Sequence, residues 1–461
     1  MHAYARRILL SAPGRWWPAI ATVAVVTALV GLCATQFVWT HDDRFIAAAR
    51  SEGHALTEFT IAAETIYALV AALALFSLTV VGTATVEQVR RTFARWRLVG
   101  ATPSDVRRSM WVLAATVACA GAVPGSLISI AVGPIVVPAF NQMAAPGFDA
   151  PVLPPSPLAW AVSLLLGIAT CMLGAFGPAR RASKAQAIEV FRALPVRRRK
   201  VRWWRALPAA AALLSSLGML TAAVATGASD AGAVVMFKLA LYAGLSAVLF
   251  VYLAGPLLTP AILSGLGGLG RALGSVTGWL AAKAAVERAN TSANTVAPLA
   301  AGIGGVGVVL VSVESTAAVV RTFDTGADTN LTDTLVMAAL ISVVLLVTSA
   351  AVAALASGGA ERELSLLRIA GMPRLRVTAW YAWQSFASAL TAAVLALVPI
   401  GIAAAATAVS STAYTGRPIT VVPWTVPVLG FVLSGLVLFL VQWPPARRFL
   451  RADIAVGLRA A

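Results

Sequence analysis

Apolar residues fall in long blocks along this chain, separated by short polar or basic stretches. Ten such blocks lie near residues 17–38, 61–85, 109–134, 158–177, 207–227, 234–262, 296–320, 334–357, 379–409 and 423–443. A hydrocarbon core about 30 Å thick takes roughly 20 residues of helix to cross, so each block predicts one transmembrane helix. The ten-residue alternation of an outer-membrane barrel is absent, and the predicted class is an all-α integral membrane protein.

The polar interruptions are not random. A basic stretch, Arg95-Trp96-Arg97-Leu98-Val99-Gly100-Ala101-Thr102-Pro103, precedes the third block, and Leu366-Leu367-Arg368-Ile369-Ala370-Gly371-Met372-Pro373 precedes the ninth. Gly100 and Gly371 are 271 residues apart. A second landmark repeats in the same order: Gly177-Pro178-Ala179-Arg180-Arg181 after the fourth block and Pro444-Pro445-Ala446-Arg447-Arg448 after the tenth. There the prolines are expected to stop each helix at the membrane face, with the Arg pairs at the headgroups. Two landmarks in one order at nearly one spacing predict a duplicated module. The expected plan is 4 + 2 + 4: a four-helix module over 1–192, a basic linker and central helix pair over 193–295, and a second four-helix module over 296–461. Equal helix numbers give both modules one orientation, so they are expected to be parallel repeats about a pseudo-twofold axis normal to the membrane.

Composition agrees with this solvent: 59% hydrophobic and 11% charged residues, with mean hydropathy +0.85. The net charge of +17 reads as topology. With both termini cytoplasmic, every one of the 35 Lys and Arg falls on the cytoplasmic side except Arg44, Arg50, Lys238, Arg321 and Arg417. Nucleic acid is therefore set aside as a partner, and anionic membrane lipid is kept. The first block runs on into Trp39-Thr40-His41-Asp42 with no small-residue cleavage pattern, and is read as a retained helix. Cys33, Cys119 and Cys171 sit in apolar blocks at spacings that fit no metal or redox motif and are expected to be buried thiols. His2, His41 and His54 are too scattered for a metal site. The residues show no enzyme chemistry.

Candidate working parts follow from the same pattern. Segments 86–105 and 358–376 are expected to be short amphipathic helices. Val89, Phe93, Trp96 and Val99 share one face of the first, with Arg90, Arg91, Arg95 and Arg97 around them. Leu364, Leu367 and Ala370 line the second, beside Glu361, Arg362, Glu363 and Arg368. Gly100 and Gly371 suit left-handed helix ends. A basic amphipathic helix held on anionic lipid is the plainer reading of both. Glu64, Lys238 and Glu314 are charges within apolar blocks and so candidates for substrate contact, a structural pair or, for Lys238, snorkelling. Pro124-Gly125 and Pro399 are expected to interrupt the long helices, and Gly302, Gly304, Gly305 and Gly307 to permit close helix contact. Val152-Leu153-Pro154-Pro155-Ser156-Pro157 reads as a stiff outer loop, and the 193–206 stretch as a linker at the membrane surface.

The order of helix, amphipathic segment ending in Arg-x-x-Gly, long helix, outer loop, helix and Pro-x-Arg-Arg resembles the FtsX-like permease family of ABC transporters. Residues 61–192 and 334–459 carry the likeness. The large extracytoplasmic domain of several relatives is missing: loops 39–60 and 321–333 are short. The resemblance implies a permease subunit whose segments around Arg91, Phe93, Arg95, Trp96, Arg97 and Gly100, and around Glu361, Glu363, Leu364, Leu367, Arg368 and Gly371, couple to ATPase subunits. No Gly-x-x-x-x-Gly-Lys-Ser/Thr loop occurs, so the chain is not expected to bind a nucleotide cofactor. ATP and Mg are expected on a separate homodimeric ABC ATPase, two subunits per permease. Export or extraction of an amphipathic peptide antibiotic or lipid is the first functional reading. An ATPase-driven signalling scaffold is the second, and an ion-coupled secondary transporter the third. Arg far outnumbers Lys, of which there are four, and Ala is abundant, which points to a GC-rich genome and a bacterial plasma membrane.

Overall fold

A computed structural model describes residues 13–53, 59, 77–86, 89, 96, 100–144, 147–149, 151–184, 203–226, 233–272, 274–287, 289–323, 332–357 and 371–451. These residues are helical apart from short connections, with no strand among them. In hydrocarbon each backbone N–H and C=O must be satisfied within the chain, and a helix does this segment by segment.

The chain divides into two compact units, Met1–Pro195 with Ala354–Ala356, and Val196–Ala353 with Ser357–Ala461. The first contains α1 (Pro13–Thr40), α2 (Asp43–Ser51), α3 (Ser77–Val86), α4 (Pro103–Ala144) and α5 (Pro157–Lys184). The second contains α6 (Trp203–Thr226), α7 (Ala233–Ala272), α8 (Val276–Glu287), α9 (Ala289–Phe323), most of α10 (Thr332–Ser357), α11 (Arg374–Thr415) and α12 (Thr425–Arg451). Among the described residues seven helices are long and apolar enough to cross a membrane: α1, α4, α5, α7, α9, α11 and α12. The blocks at 61–85, 207–227 and 334–357 are represented among the described residues by the shorter apolar stretches Ser77–Val86, Ala206–Ala222 and Ser342–Leu355.

In the first unit α1 packs on α4 and α5, and α4 on α5; in the second α9 packs on α11 and α12, and α11 on α12. Helices α4 and α11 each have 42 residues, and both their first and their last residues are 271 apart. One contact in the packing keeps the same register. Along α4, Gly121 and Gly125 face Val23 and Ala24 of α1, and Ser129 faces Gly31. Along α11, Ala396 and Ile400 face Gly304 and Gly307 of α9. Gly125 and Ala396, and likewise Ser129 and Ile400, are 271 apart, while Gly31 and Gly307 share the 276 spacing of the first residues of α1 and α9. The Ser129–Gly31 and Ile400–Gly307 contacts thus fall at corresponding places along their helices.

These seams need small residues because lipid tails are as apolar as leucine, leaving close van der Waals contact to hold helices together. A methyl on Gly125 would meet Ala24 backbone, with its Cα at 2.9 Å. Gly82 and Gly174 do the same for α3 and α5, each against the other helix's backbone, and Thr83 donates to the Gly174 carbonyl at 3.0 Å.

Several expectations are corrected. Proline does not stop α5 or α12: both continue through Pro178 and through Pro444-Pro445, to Lys184 and Arg451. Proline's fixed φ is helical and removes only one backbone bond, so a helix already begun carries on. Pro124 and Pro399 likewise lie inside unbroken helices. With α4 and α11 in constant register, these two prolines stand one turn apart and are not equivalent; Pro124 is exposed, whereas Pro399 is buried opposite Gly304. Cys33 and Cys171 are buried, but Cys119 is exposed on the outer face of α4.

Gly125→Ala is expected to lower stability by about 1–3 kcal/mol, since neither backbone can yield without opening the seam. Gly218→Ala in α6, where nothing lies within 4 Å of the added methyl, is expected to be neutral or mildly stabilising. Thermal unfolding of the two purified variants distinguishes them.

Candidate functional site

Each of the two long helices is preceded by a left-handed glycine. Val89 and Trp96 are helical, Val89 buried and Trp96 half-buried. Gly100 follows with φ +97°, and the Ala101 N–H donates to the Trp96 carbonyl at 3.1 Å, the six-to-one bond of a Schellman helix end. Gly371 has φ +80° at the equivalent place. No atom lies within 4 Å of a Cβ added at either glycine. Left-handed backbone, not crowding, is therefore what calls for glycine here.

Just beyond, the helix starts are built differently. Thr102 caps α4: its Oγ1 accepts from the Asp105 N–H at 3.2 Å, while its own N–H donates to Asp105 Oδ2 at 3.2 Å. That reciprocal pair is a capping box with Asp in the usual Glu position. In the other copy Pro373 occupies the cap position, φ −66° and ψ 152°, with no side-chain bond. Proline there fixes the extended cap conformation through its ring.

Of the other expected coupling residues, Arg91, Phe93, Arg95, Arg97, Glu361, Glu363, Leu364, Leu367 and Arg368 lie outside the described residues, as does Glu64. Lys238 and Glu314 are half-buried in α7 and α9, and no ion pair joins them. Beside Glu314, the buried Ser315 Oγ accepts from the Val421 N–H at 3.0 Å and ties the α11–α12 loop to α9. Among the described residues no group of His, Cys, Asp and Glu could hold a metal ion.

A polar and aromatic assembly absent from the sequence reading closes the α1–α2 end of the first unit. Asp42 caps α2 by accepting from the Arg44 N–H at 2.9 Å, which turns Phe45 and Ala49 inward. Phe45 meets Phe59 and Phe148 edge-on, at centroid distances of 5.3 and 5.4 Å, over Trp39, Val137 and Leu153. Beneath this cap the buried Gln36 donates through Nε2 to Asn141 Oδ1, linking α1 to α4. A crevice beside it is lined by Thr35, Trp39, Ser129, Pro134, Pro155 and Trp160. Lone Phe, Gln and Asn residues carry no pattern in sequence, so only the chain path assembles them.

Two measurements follow. Gly100→Ala is expected to cost about 1–2 kcal/mol, with Gly100→Asn recovering part of it because asparagine tolerates the left-handed region; thermal unfolding reads both. Gln36→Leu or Asn141→Leu alone strands a buried amide and is expected to cost about 1–3 kcal/mol. The double variant is expected to cost no more than the worse single one, which a double-mutant cycle tests.

A search of curated proteins returns no match. Residues 64–187, which run through α3, α4 and α5, match the FtsX-like permease C-terminal family. That family supplies membrane subunits of ABC transporters and lacks a nucleotide-binding domain of its own. Over this segment the chain is similar to the FtsX-like permeases.

Proposed function

We propose that the chain is a two-module permease whose paired cytoplasmic segments, ending at Gly100 and Gly371, receive the strokes of two ATPase subunits. The observation that carries this is the constant register of α4 and α11, from the left-handed glycine through all 42 residues of each helix. At 1.5 Å per residue such a helix is roughly 63 Å long, about twice the hydrocarbon core. It projects beyond the bilayer and is a stiff lever: a force at the glycine end reaches the opposite end without an intervening loop. The remaining apolar stretches at 61–85, 207–227 and 334–357 complete ten spans in a 4 + 2 + 4 plan, with the modules parallel and both termini cytoplasmic. The distribution of Lys and Arg supports that orientation.

The substrate in this reading is amphipathic or hydrophobic, a peptide antibiotic or a lipid, exported or extracted from the bilayer of a bacterial plasma membrane. Support comes from the lipid-facing sides of α5 and α12, where Leu165, Leu173, Val428, Leu429, Val432 and Leu436 are exposed. The crevice beside Trp39 and Trp160 pairs apolar walls with the Thr35 and Ser129 hydroxyls, which suits a molecule with both characters. Lys238 and Glu314 stay candidates for contact with it.

Affinity purification of the tagged chain from its native membrane, followed by mass spectrometry, tests the reading. An ATPase is expected at two copies per permease and is expected to be lost when Gly100→Pro and Gly371→Pro are combined. A wild-type sample without any ATPase overturns the assignment and favours ion coupling through Glu64, Lys238 and Glu314.

A further inference from the structure

The corner between α7 and α8 holds a cluster that the transport reading does not use. Helix α7 ends in a Schellman-type turn: Gly274 has φ +71°, its N–H donates to the Arg271 carbonyl, and the Ser275 N–H donates to the Gly270 carbonyl, both at 3.0 Å. Ser275 then caps α8, its Oγ accepting from the Gly278 N–H at 3.1 Å. This turn brings the end of α7 beside the first turn of α8. As a result the Arg271 guanidinium and the Lys283 ammonium each lie 5.1 Å from the centroid of the Trp279 ring.

Both cations are exposed, Trp279 is half-buried, and neither cation has a carboxylate partner among the described residues. Each is attracted to the ring by its quadrupole. They nevertheless repel one another, since two groups so close to one centroid are at most about 10 Å apart, roughly one Debye length at physiological salt. An anion reaching both would relieve that repulsion.

The opposite face of α8 says at what depth this happens. Gly278, Ala281, Ala282 and Ala285 are buried, and Ala281 packs with Val377, Trp380 and Tyr381 of α11. Trp383 and Trp443 complete the cluster, with Gly278 leaving room for the Trp383 ring. Trp and Tyr concentrate at the level of the lipid headgroups, where an apolar ring meets water. A short helix flanked by four such residues, carrying Trp279 and the exposed Lys283 and lying beside Arg271, has the character of an interfacial helix. Basic side chains at that level draw anionic headgroups.

We propose that Arg271, Trp279 and Lys283 form a binding site for the phosphate of an anionic glycerophospholipid, the indole packing against the lipid's glycerol region while the two cations hold its charge. The site depends on the membrane placement of the second unit and not on the choice of transport substrate.

Native mass spectrometry of the full-length protein, titrated with phosphatidylglycerol or with phosphatidylcholine of the same acyl chains, tests it. The wild type is expected to retain phosphatidylglycerol in preference. Replacing both cations, R271Q/K283Q, is expected to weaken the tightest adduct roughly 10- to 30-fold. R417Q, which removes an exposed cation elsewhere, is expected to change nothing. Unchanged preference in R271Q/K283Q overturns the proposal. So does a variant that keeps its lipid preference but loses an acidic protein partner, which would make the corner a protein-docking surface. A second reading leaves the cations in place: emission attributable to Trp279, taken as wild type less Trp279→Phe, is expected to be quenched more by brominated phosphatidylglycerol than by brominated phosphatidylcholine. Equal quenching overturns the site even where R271Q/K283Q folds poorly.

Discussion

Close approach of helix backbones at small residues is the interaction on which the rest of this structure depends. In water, burial of apolar surface drives helices together; in lipid that drive is gone, and contact itself must supply the attraction. Gly121 and Gly125 against α1, and Gly304 and Gly307 against α11, bring backbones near enough for dense van der Waals contact along a whole seam. The two seams place their glycines on different partners, yet keep one register. Ser129 on Gly31 and Ile400 on Gly307 fall at corresponding places in the two seams, although the side chains differ.

Those seams bear on the proposed use of the long helices. A lever works only if it is stiff and its far end is tied to something. Helices α4 and α11 run without a break from left-handed glycines. Their opposite ends are tied: α4 by the Gln36–Asn141 bond and the aromatic cap, and the loop beyond α11 by Ser315 and by Ser411, whose Oγ accepts from the Ile419 N–H at 2.9 Å. The two units thus share a register and differ in how each end is fastened. Prolines within these helices do not contradict stiffness, because neighbouring helices re-pack around the missing bond, as Gly304 does opposite Pro399.

The lateral surfaces are as informative as the seams. Large apolar side chains face outward on α5 and α12, while α9 is buried over nearly all its apolar length. One end of the second unit gathers Trp279, Trp380, Tyr381, Trp383 and Trp443, and the exposed Arg271 and Lys283 lie beside them. An apolar flank bounded by an aromatic and cationic rim is what a bilayer, rather than a second protein, would be expected to cover.

Much of this was determined by the sequence alone, for local reasons. The all-helical class follows from block length, and the equal spacing of Gly100 and Gly371 ahead of two 42-residue helices is written in the chain itself. The left-handed conformation at Gly100 and Gly371 follows from where an amphipathic segment must end. What lies far apart in the chain was decided only by the tertiary structure. Whether a proline ends a helix depends on what packs beside it, so Pro178 and Pro445 could not be judged from the residues. The outward face of Cys119 and the non-equivalence of Pro124 and Pro399 needed the helix register. The cap of Phe45, Phe59 and Phe148, the Gln36–Asn141 bond and the Arg271–Trp279–Lys283 cluster have no periodicity to announce them. Their members meet because turns at Asp42 and Gly274 redirect the chain, and an encounter of that kind is set by the path of the backbone, not by the pattern of residues along it.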